Sequence, residues 1–146
     1  MFEIRRILCP VDLSETSKLA LYAVALAAQL GAEEIELLHV YQLPAYVLPE
    51  GGLEIMAGLE VELENRLQQQ LDAFAKHSTD TSVKITTVLG TGVPYVEIIR
   101  AAKQRKADLI VIGTHGRTGL AHLLIGSVAE RVVRTSEVPV LSIRTR

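Results

Sequence analysis

Tryptophan is absent from this sequence, cysteine occurs once, and aromatic residues make up only 4% of its 146 residues. The single Cys9 excludes an internal disulfide, which fits a reducing compartment, and so few aromatic residues imply a mostly aliphatic core. The net charge of −2 shows no basic excess, so composition does not favour a nucleic-acid partner. The longest apolar run, residues 19–28, is shorter than the roughly 20 residues that span a bilayer, and the first residues lack the layout of a signal peptide. We therefore expect a cytoplasmic protein that does not insert into membranes.

Aliphatic residues dominate what is present, since 49% of the chain is hydrophobic and its length suits one domain, residues 1–146. Short apolar runs alternate with segments of helical periodicity. Strands are predicted at residues 4–11, 35–41, 83–89, 109–112 and 140–143. Helices are predicted at residues 15–30, 53–77, 94–105 and 127–135. This alternation predicts an α/β fold, with a five-stranded parallel sheet, right-handed crossovers and helices on both faces.

Local signals indicate where helices end and which residues they bury. Ser14 is a candidate N-cap for the first helix, and Gly31 is its stop signal. Cys9, inside the first strand, is interpreted as a small buried hydrophobe. Residues 42–52 contain two prolines and two glycines, so we predict a loop there and a candidate lid. The second helix carries an apolar stripe that we expect in the core, namely Met56, Leu59, Leu63, Leu67, Leu71 and Phe74.

A glycine pattern follows the fourth strand, where Gly113 and Gly116 precede Gly126 and Ser127. Glycine adopts positive φ and lets the backbone come close to a ligand. A helix that starts at Ser127 would offer free N–H groups, a partial positive charge and a hydroxyl to an anion. The pattern favours a phosphate-binding loop, and the alternative is a tight strand-to-helix turn without a ligand.

Asp12 follows the first strand in the same way that the glycines follow the fourth. Open parallel sheets bind ligands beyond the carboxyl ends of their strands, at the point where strand order reverses. If the first and fourth strands are neighbours there, both features converge on one cleft. The alternative for Asp12 is a capping role, although Ser14 is available as the cap.

Other chemistry finds little support in the sequence. Gly90-Thr91-Gly92 resembles the start of a dinucleotide fingerprint, but Tyr95 stands where the third glycine belongs, so we predict a structural turn. A P-loop NTPase is excluded because no Walker lysine follows any glycine loop. The four histidines are too scattered for a metal site. In the loop, His115 could touch a phosphate or be solvated, whereas Arg117 has a permanent, forked charge that suits a phosphate better.

These residues resemble the universal stress protein family, and the resemblance runs from residues 7–12 (ILCPVD) to residues 138–141 (VPVL). Nucleotide-binding members of that family carry G-x2-G-x9-G-[S/T], which this sequence matches at every fixed position. The resemblance implies an adenine nucleotide alpha hydrolase-like, Rossmann-like sheet of order 3-2-1-4-5. It also implies a homodimer through the last strand. An exposed edge at residues 138–144 would be open to such pairing.

The resemblance implies a role for each matching residue. Asp12 would hold the ribose hydroxyls of ATP, and Val11 and Val40 would line the adenine pocket, with Pro10 and Ile112 beside them. The ribose and phosphates would lie against a further set, namely Gly113, His115, Gly116, Arg117, Gly126, Ser127 and Val128. Because ATP carries several negative charges, we expect Mg²⁺ or Mn²⁺ with it.

Three functions fit this sequence. The first is an ATP-binding module for regulation or stress response, with little or no turnover and an unknown protein partner. The second is a slow ATPase or an enzyme that handles an adenylated substrate, and the third is a structural stress protein whose cleft stays empty. The first is favoured because the loop lacks a dedicated carboxylate pair or lysine for phosphoryl transfer.

Overall fold

The protein folds around a five-stranded parallel sheet of order β3-β2-β1-β4-β5, as the sequence led us to expect. The structure is a computed structural model that describes residues 2–13, 17–43, 49–50, 52–77, 82–114 and 126–144. Its elements are β1 (Arg6–Pro10), α1 (Ser17–Gln29), β2 (Glu34–Tyr41), α2 (Gly52–Lys76), β3 (Lys84–Thr91), α3 (Pro94–Gln104), β4 (Leu109–Gly113), α4 (Ser127–Thr135) and β5 (Val140–Ile143).

Two helical layers enclose the sheet, because successive strand residues point to opposite faces. Ile7 and Cys9 of β1 belong to the core that α1 and α2 cover, while Leu8 belongs to the core under α3 and α4. Cys9 has no exposed surface, and burial raises the pKa of its thiol to about 12. The prediction of an inert, buried cysteine is therefore confirmed.

Helix ends follow the predicted signals where the structure describes them. Gly31 has φ 71°, its N–H donates to Ala28 O at 3.1 Å, and Ala32 N–H donates to Ala27 O at 2.9 Å. This is a Schellman motif with glycine in the left-handed position, so Gly31 ends α1 as predicted. Lys106 ends α3 in the same left-handed region, with φ 54°. The candidate cap Ser14 lies outside the described residues.

Between β3 and α3, the predicted structural turn is confined to Gly92, because Gly90 and Thr91 belong to the β2–β3 ladder. Thr91 is the last residue of β3, Gly92 follows with φ 133°, and Pro94 opens α3. Most of the predicted loop at residues 42–52 lies outside the described residues, so the candidate lid stays a prediction. No helix in the described ranges is long and apolar enough to cross a membrane.

The apolar stripe of α2 is only partly in the core, which corrects our expectation. Leu67 and Leu71 are buried, but Leu59 is 55% exposed, and no residue before Leu67 in this helix is buried. The reason is length. An α-helix of 25 residues spans about 37 Å, whereas an eight-residue strand spans about 26 Å, so the sheet cannot cover the whole helix.

Candidate functional site

The candidate site lies where strand order reverses, between β1 and β4. These strands are adjacent, with Ile7 opposite Leu109 and Leu8 opposite Ile110. Asp12 lies two residues beyond the end of β1, and Thr114 directly follows β4. Because the strands are parallel, both residues lie at the carboxyl edge of the sheet. The predicted neighbourhood of the first and fourth strands is confirmed.

On the β1 side, the backbone before Asp12 is held by β2. Val11 N–H donates to Leu38 O at 2.8 Å, and Val11 O lies 2.8 Å from Nδ1 of His39. A carbonyl oxygen only accepts, so Nδ1 of His39 carries the proton and donates it. His39 is buried, at 4% exposure. A lone histidine in an apolar strand is the only signal that the sequence offers for this contact.

Val11 and Val40, predicted to line the base pocket, and the neighbouring Pro10 and Ile112 do not all enter the same layer. The side chain of Val11 is buried in the core under α1 and α2. Ile112 is buried in the opposite core, and Val40 packs against that same core while remaining partly exposed. Pro10 is the buried last residue of β1. Of this set, Val40 is the side chain that stays accessible at the carboxyl edge.

Gly90 of β3 sits opposite Val40 of β2 and leaves room beside it. A Cβ at Gly90 would lie 3.4 Å from Val40 Cγ2 and 3.6 Å from Leu38 Cδ1, which is ordinary contact distance. Because a side chain could be placed at position 90 without a clash, packing does not require glycine there, but glycine leaves the surface next to Val40 open. From the sequence, Gly90 was predicted only as part of a turn.

On the β4 side, Gly113 packs closely against α1. A Cβ at Gly113 would lie 3.1 Å from Leu19 Cδ2, closer than side chains normally pack. Among the described glycines, only Gly31 and Gly92 have positive φ, so Gly113 does not use the left-handed freedom that we expected. What position 113 needs is space for Leu19, which is itself buried.

The start of α4 is tied to the end of β4. Gly126 N–H donates to Thr114 O at 2.6 Å, and Thr114 N–H donates to Ile143 O at 3.0 Å. Gly126 has φ −66° and ψ 154°, it accepts from Glu130 N–H at 2.9 Å, and as the N-cap residue it has no side chain to cap the helix. Ser127 is exposed and Val128 is partly exposed. The first N–H groups of a helix lack intrahelical partners, so this end presents donors and a partial positive charge at the cleft.

The structure therefore brings together Asp12, Val40, Gly113 and the α4 start at one edge of the sheet. Three predicted loop residues, His115, Gly116 and Arg117, lie outside the described residues, and their roles stay predictions. Within the described ranges, no group of three or more His, Cys, Asp or Glu residues could hold a metal ion.

At the other end of the sheet lies a separate cavity of about 270 Å³, lined by Arg6, Glu34, Glu36 and Arg105 among others. Two of its charged groups pair with each other, since Arg105 Nη1 lies 2.5 Å from Glu36 Oε1. Burial raises the pKa of Glu36, and the nearby Arg105 opposes part of that rise. Its lining comes from the amino-terminal parts of β1 and β2, so it is distinct from the candidate site.

This chain is similar to known proteins along almost its whole length, and the universal stress protein family model matches its residues 3–144. The chain belongs to the universal stress protein family. Among its relatives is universal stress protein MJ0577 of Methanocaldococcus jannaschii, which is 33% identical with 97% of this chain and 96% of that protein covered. Universal stress protein MJ0531 of the same organism is 39% identical, with 96% and 82% covered.

Solved structures of universal stress proteins have the same fold. The structure of MJ0577 matches with a TM-score of 0.78 and 32% identity, covering 98% of this chain and 97% of that one. A universal stress protein solved in complex with cAMP matches with a TM-score of 0.66 and 25% identity, covering 99% of both chains. The five-stranded architecture derived above is therefore that of the family.

Proposed function

We propose that this universal stress protein binds ATP at the β1–β4 switch point and serves as a regulatory or stress-response module with little or no turnover. One observation carries the proposal: Asp12, Gly113 and the start of α4, with glycine at its N-cap, converge on the same edge of the sheet. A carboxylate suits ribose hydroxyls, and a helix N-terminus suits phosphates. The universal stress protein solved with cAMP lends support, since it carries an adenine nucleotide on the same fold.

In this proposal, the chain supplies a polar and an apolar half of the cleft. Asp12 accepts hydrogen bonds from the ribose, and Val40 packs against the base beside the space left by Gly90, with Pro10, Val11 and Ile112 behind it. The phosphates lie against Gly113, Gly116, Gly126, Ser127 and Val128, with His115 and Arg117 from the loop. Mg²⁺ or Mn²⁺ would offset the phosphate charge through phosphate oxygens and water, which is how Mg²⁺ is commonly held.

Low turnover follows from what surrounds the glycine loop in the sequence. No lysine occurs after Lys106, and residues 109–129 contain no Asp or Glu. Phosphoryl transfer needs charge stabilisation at the transferred group and a residue that positions the nucleophile. Arg117 offers one cation, but neither a lysine nor a carboxylate lies within the loop to complete such a set.

We also propose that the protein forms a homodimer through residues 138–144 and works in the cytoplasm, where Cys9 would stay reduced. β5 is an edge strand of the sheet, and Leu141 on it is 40% exposed. A two-fold copy of the same strand would pair with this edge.

The first experiment is to denature freshly purified protein and identify the released nucleotide by mass spectrometry. The proposal predicts ATP at a substoichiometric to stoichiometric level. An empty cleft that also fails to bind added ATP with Mg²⁺ in calorimetry would favour the structural reading instead. Multiple-turnover phosphate release at the rate of ordinary kinases, roughly 1–100 s⁻¹, would favour the enzyme reading.

Gly126→Val tests the phosphate end of the cleft. The φ and ψ of Gly126 are extended values that valine adopts readily, so the backbone itself does not resist the change. The new side chain would stand where backbone meets phosphate, and we expect ATP binding to weaken by about tenfold or more. Gly58→Ala on the exposed face of α2 is the matched control and should leave affinity unchanged. Unaltered affinity in Gly126→Val would place the phosphates elsewhere.

A further inference from the structure

The first half of α2, residues 52–63, is a surface that this fold leaves uncovered, and we refer to it as the free half of α2. The attachment of α2 begins at Glu64, which accepts a hydrogen bond from the Tyr41 hydroxyl of β2. It continues through buried Leu67 and Leu71, and through Asp72, which bonds Thr87 of β3 at 2.7 Å. None of the described residues before Glu64 in this helix is buried.

Large apolar side chains are exposed on the free half of α2. Ile55 is 69% exposed and Leu59 is 55% exposed. They are four residues apart, so they lie on one face of the helix, and Met56 and Leu63 extend that face while being partly exposed. Single exposed apolar residues are ordinary, but a continuous stripe of four on a helix marks an interaction surface.

The charged residues within the free half of α2 are all acidic. Residues 19–65 contain no Lys or Arg, while they contain eight Glu residues. Three of these, Glu54, Glu60 and Glu62, lie on the free half of α2, and the first positive charge that follows is Arg66, which pairs with Glu62 at 3.3 Å. A partner that fits must therefore supply apolar side chains together with positive charge.

We propose that the free half of α2 is the docking site for a cationic amphipathic helix of a partner protein. Such a helix would lay its apolar face on the stripe and direct lysines or arginines at the flanking carboxylates. Self-association through the same surface is disfavoured, because two copies would bring like carboxylates together. An anionic membrane surface is disfavoured for the same reason. This inference goes beyond nucleotide binding and does not depend on it.

The test uses the whole protein and a fluorescent synthetic peptide of about 18 residues, with leucine and lysine arranged at helical spacing. Fluorescence anisotropy should show saturable binding at physiological salt. A peptide of the same composition with its leucines dispersed around the helix should bind at least about tenfold more weakly, since it lacks an apolar face. Equal binding of both peptides would overturn the proposal, because it would reduce the interaction to net charge.

Two double variants and one control variant test whether the peptide binds at the free half of α2. Ile55→Ser with Leu59→Ser should weaken binding by about tenfold, while Val133→Ser should not, because Val133 is a comparably exposed valine on α4. Glu54→Lys with Glu62→Lys should weaken binding similarly while the stripe stays intact. All these residues are exposed, so thermal melts should match the wild type. Equal loss in Val133→Ser, concentration-dependent assembly that Ile55→Ser with Leu59→Ser abolishes, or co-sedimentation with anionic vesicles would each overturn the proposal.

Discussion

Gly113→Ala is the substitution that best separates the packing role of this glycine from its proposed role at the nucleotide. The added Cβ would meet Leu19 Cδ2 at 3.1 Å, so the leucine must move by a few tenths of an ångström. Overpacking of this kind typically costs about 1–3 kcal/mol, and the clash here is with the flexible end of a side chain, which favours the low end. Glycine-to-alanine changes at compatible φ gain about 0.4–1 kcal/mol through the unfolded chain. With the clash near 1 kcal/mol, this gain offsets much of it, so we expect a net loss of about 0–0.6 kcal/mol in the free energy of unfolding.

A double-mutant cycle with Leu19→Ala isolates that clash. Leu19 is buried, so its truncation alone should cost about 2–5 kcal/mol. In the double variant the alanine methyl at position 113 has no leucine to meet. The sum of the two single-variant losses should therefore exceed the loss measured for the double variant by about 1–2 kcal/mol. Independent sites deviate from additivity by only roughly 0.5 kcal/mol.

Urea denaturation followed by circular dichroism provides the measurement, with stability read from the midpoint at constant slope. Gly58→Ala provides the scale for a methyl added without a clash, since nothing lies within 4 Å of a Cβ there, and it should gain about 0.5–1 kcal/mol. If Gly113→Ala and Leu19→Ala add, or if Gly113→Ala stabilises as Gly58→Ala does, the packing argument is refuted.

The same three variants also test ligand contact. If Gly113 meets the nucleotide directly, ATP affinity stays weak in the double variant, because the methyl remains in the cleft. If Gly113→Ala acts only by displacing α1 through Leu19, affinity returns when Leu19 is truncated. We expect the first result from calorimetry.

Three further predictions follow from particular contacts. Asp12→Ala should weaken ATP binding by up to about 1.5–3 kcal/mol per lost charge-assisted bond and should weaken binding more than it weakens stability; a lower melting temperature with intact affinity would instead indicate capping. Burial raises the pKa of Glu36 from its ordinary 4.5, so the folded state holds its proton more tightly, and wild-type stability should fall as pH rises through and above that value. Glu36→Gln should flatten this fall, and stability curves that stay parallel between pH 4 and 7 would contradict it. Pro139 O and Ile143 O both accept hydrogen bonds from the β4 side of the strand. Successive residues of a strand direct their backbone N–H groups to opposite sides, so Leu141 N–H points to β4 and Ser142 N–H points to the outer edge. Ser142→Pro should therefore split the proposed dimer in light scattering, whereas Leu141→Pro should lower stability.

Much of the fold could be predicted because its signals are local. Apolar runs, Gly31 and Pro94 placed the described strands and helices to within about two residues of their observed ends. Strand order came from the family resemblance, and the observed order confirms it. The carboxyl edge of the sheet could be predicted as the place of the site from parallel topology, and its position between β1 and β4 followed from the strand order that the resemblance implied.

What could not be predicted depends on contacts between distant residues. The 2.8 Å contact of His39 with Val11 O joins residues 28 positions apart. The close contact that a side chain at position 113 would make is with Leu19, which lies on α1, more than 80 residues earlier in the sequence. The sequence shows that Gly113 lies in a glycine pattern. That this glycine also leaves space for a side chain of α1 can be seen only when α1 is packed against β4.

The error in α2 has the same origin and a more general consequence. Helical periodicity reports which side of a helix is apolar, and it does so without reference to any partner. Whether that side is covered depends on how far the neighbouring strands extend, and here β2 and β3 reach only the half of α2 that begins at Glu64. Contiguous exposed apolar side chains on a protein surface mark interaction sites more often than scattered single ones do. The mismatch in length between α2 and the sheet is therefore the structural reason to look for a partner at Ile55 and Leu59.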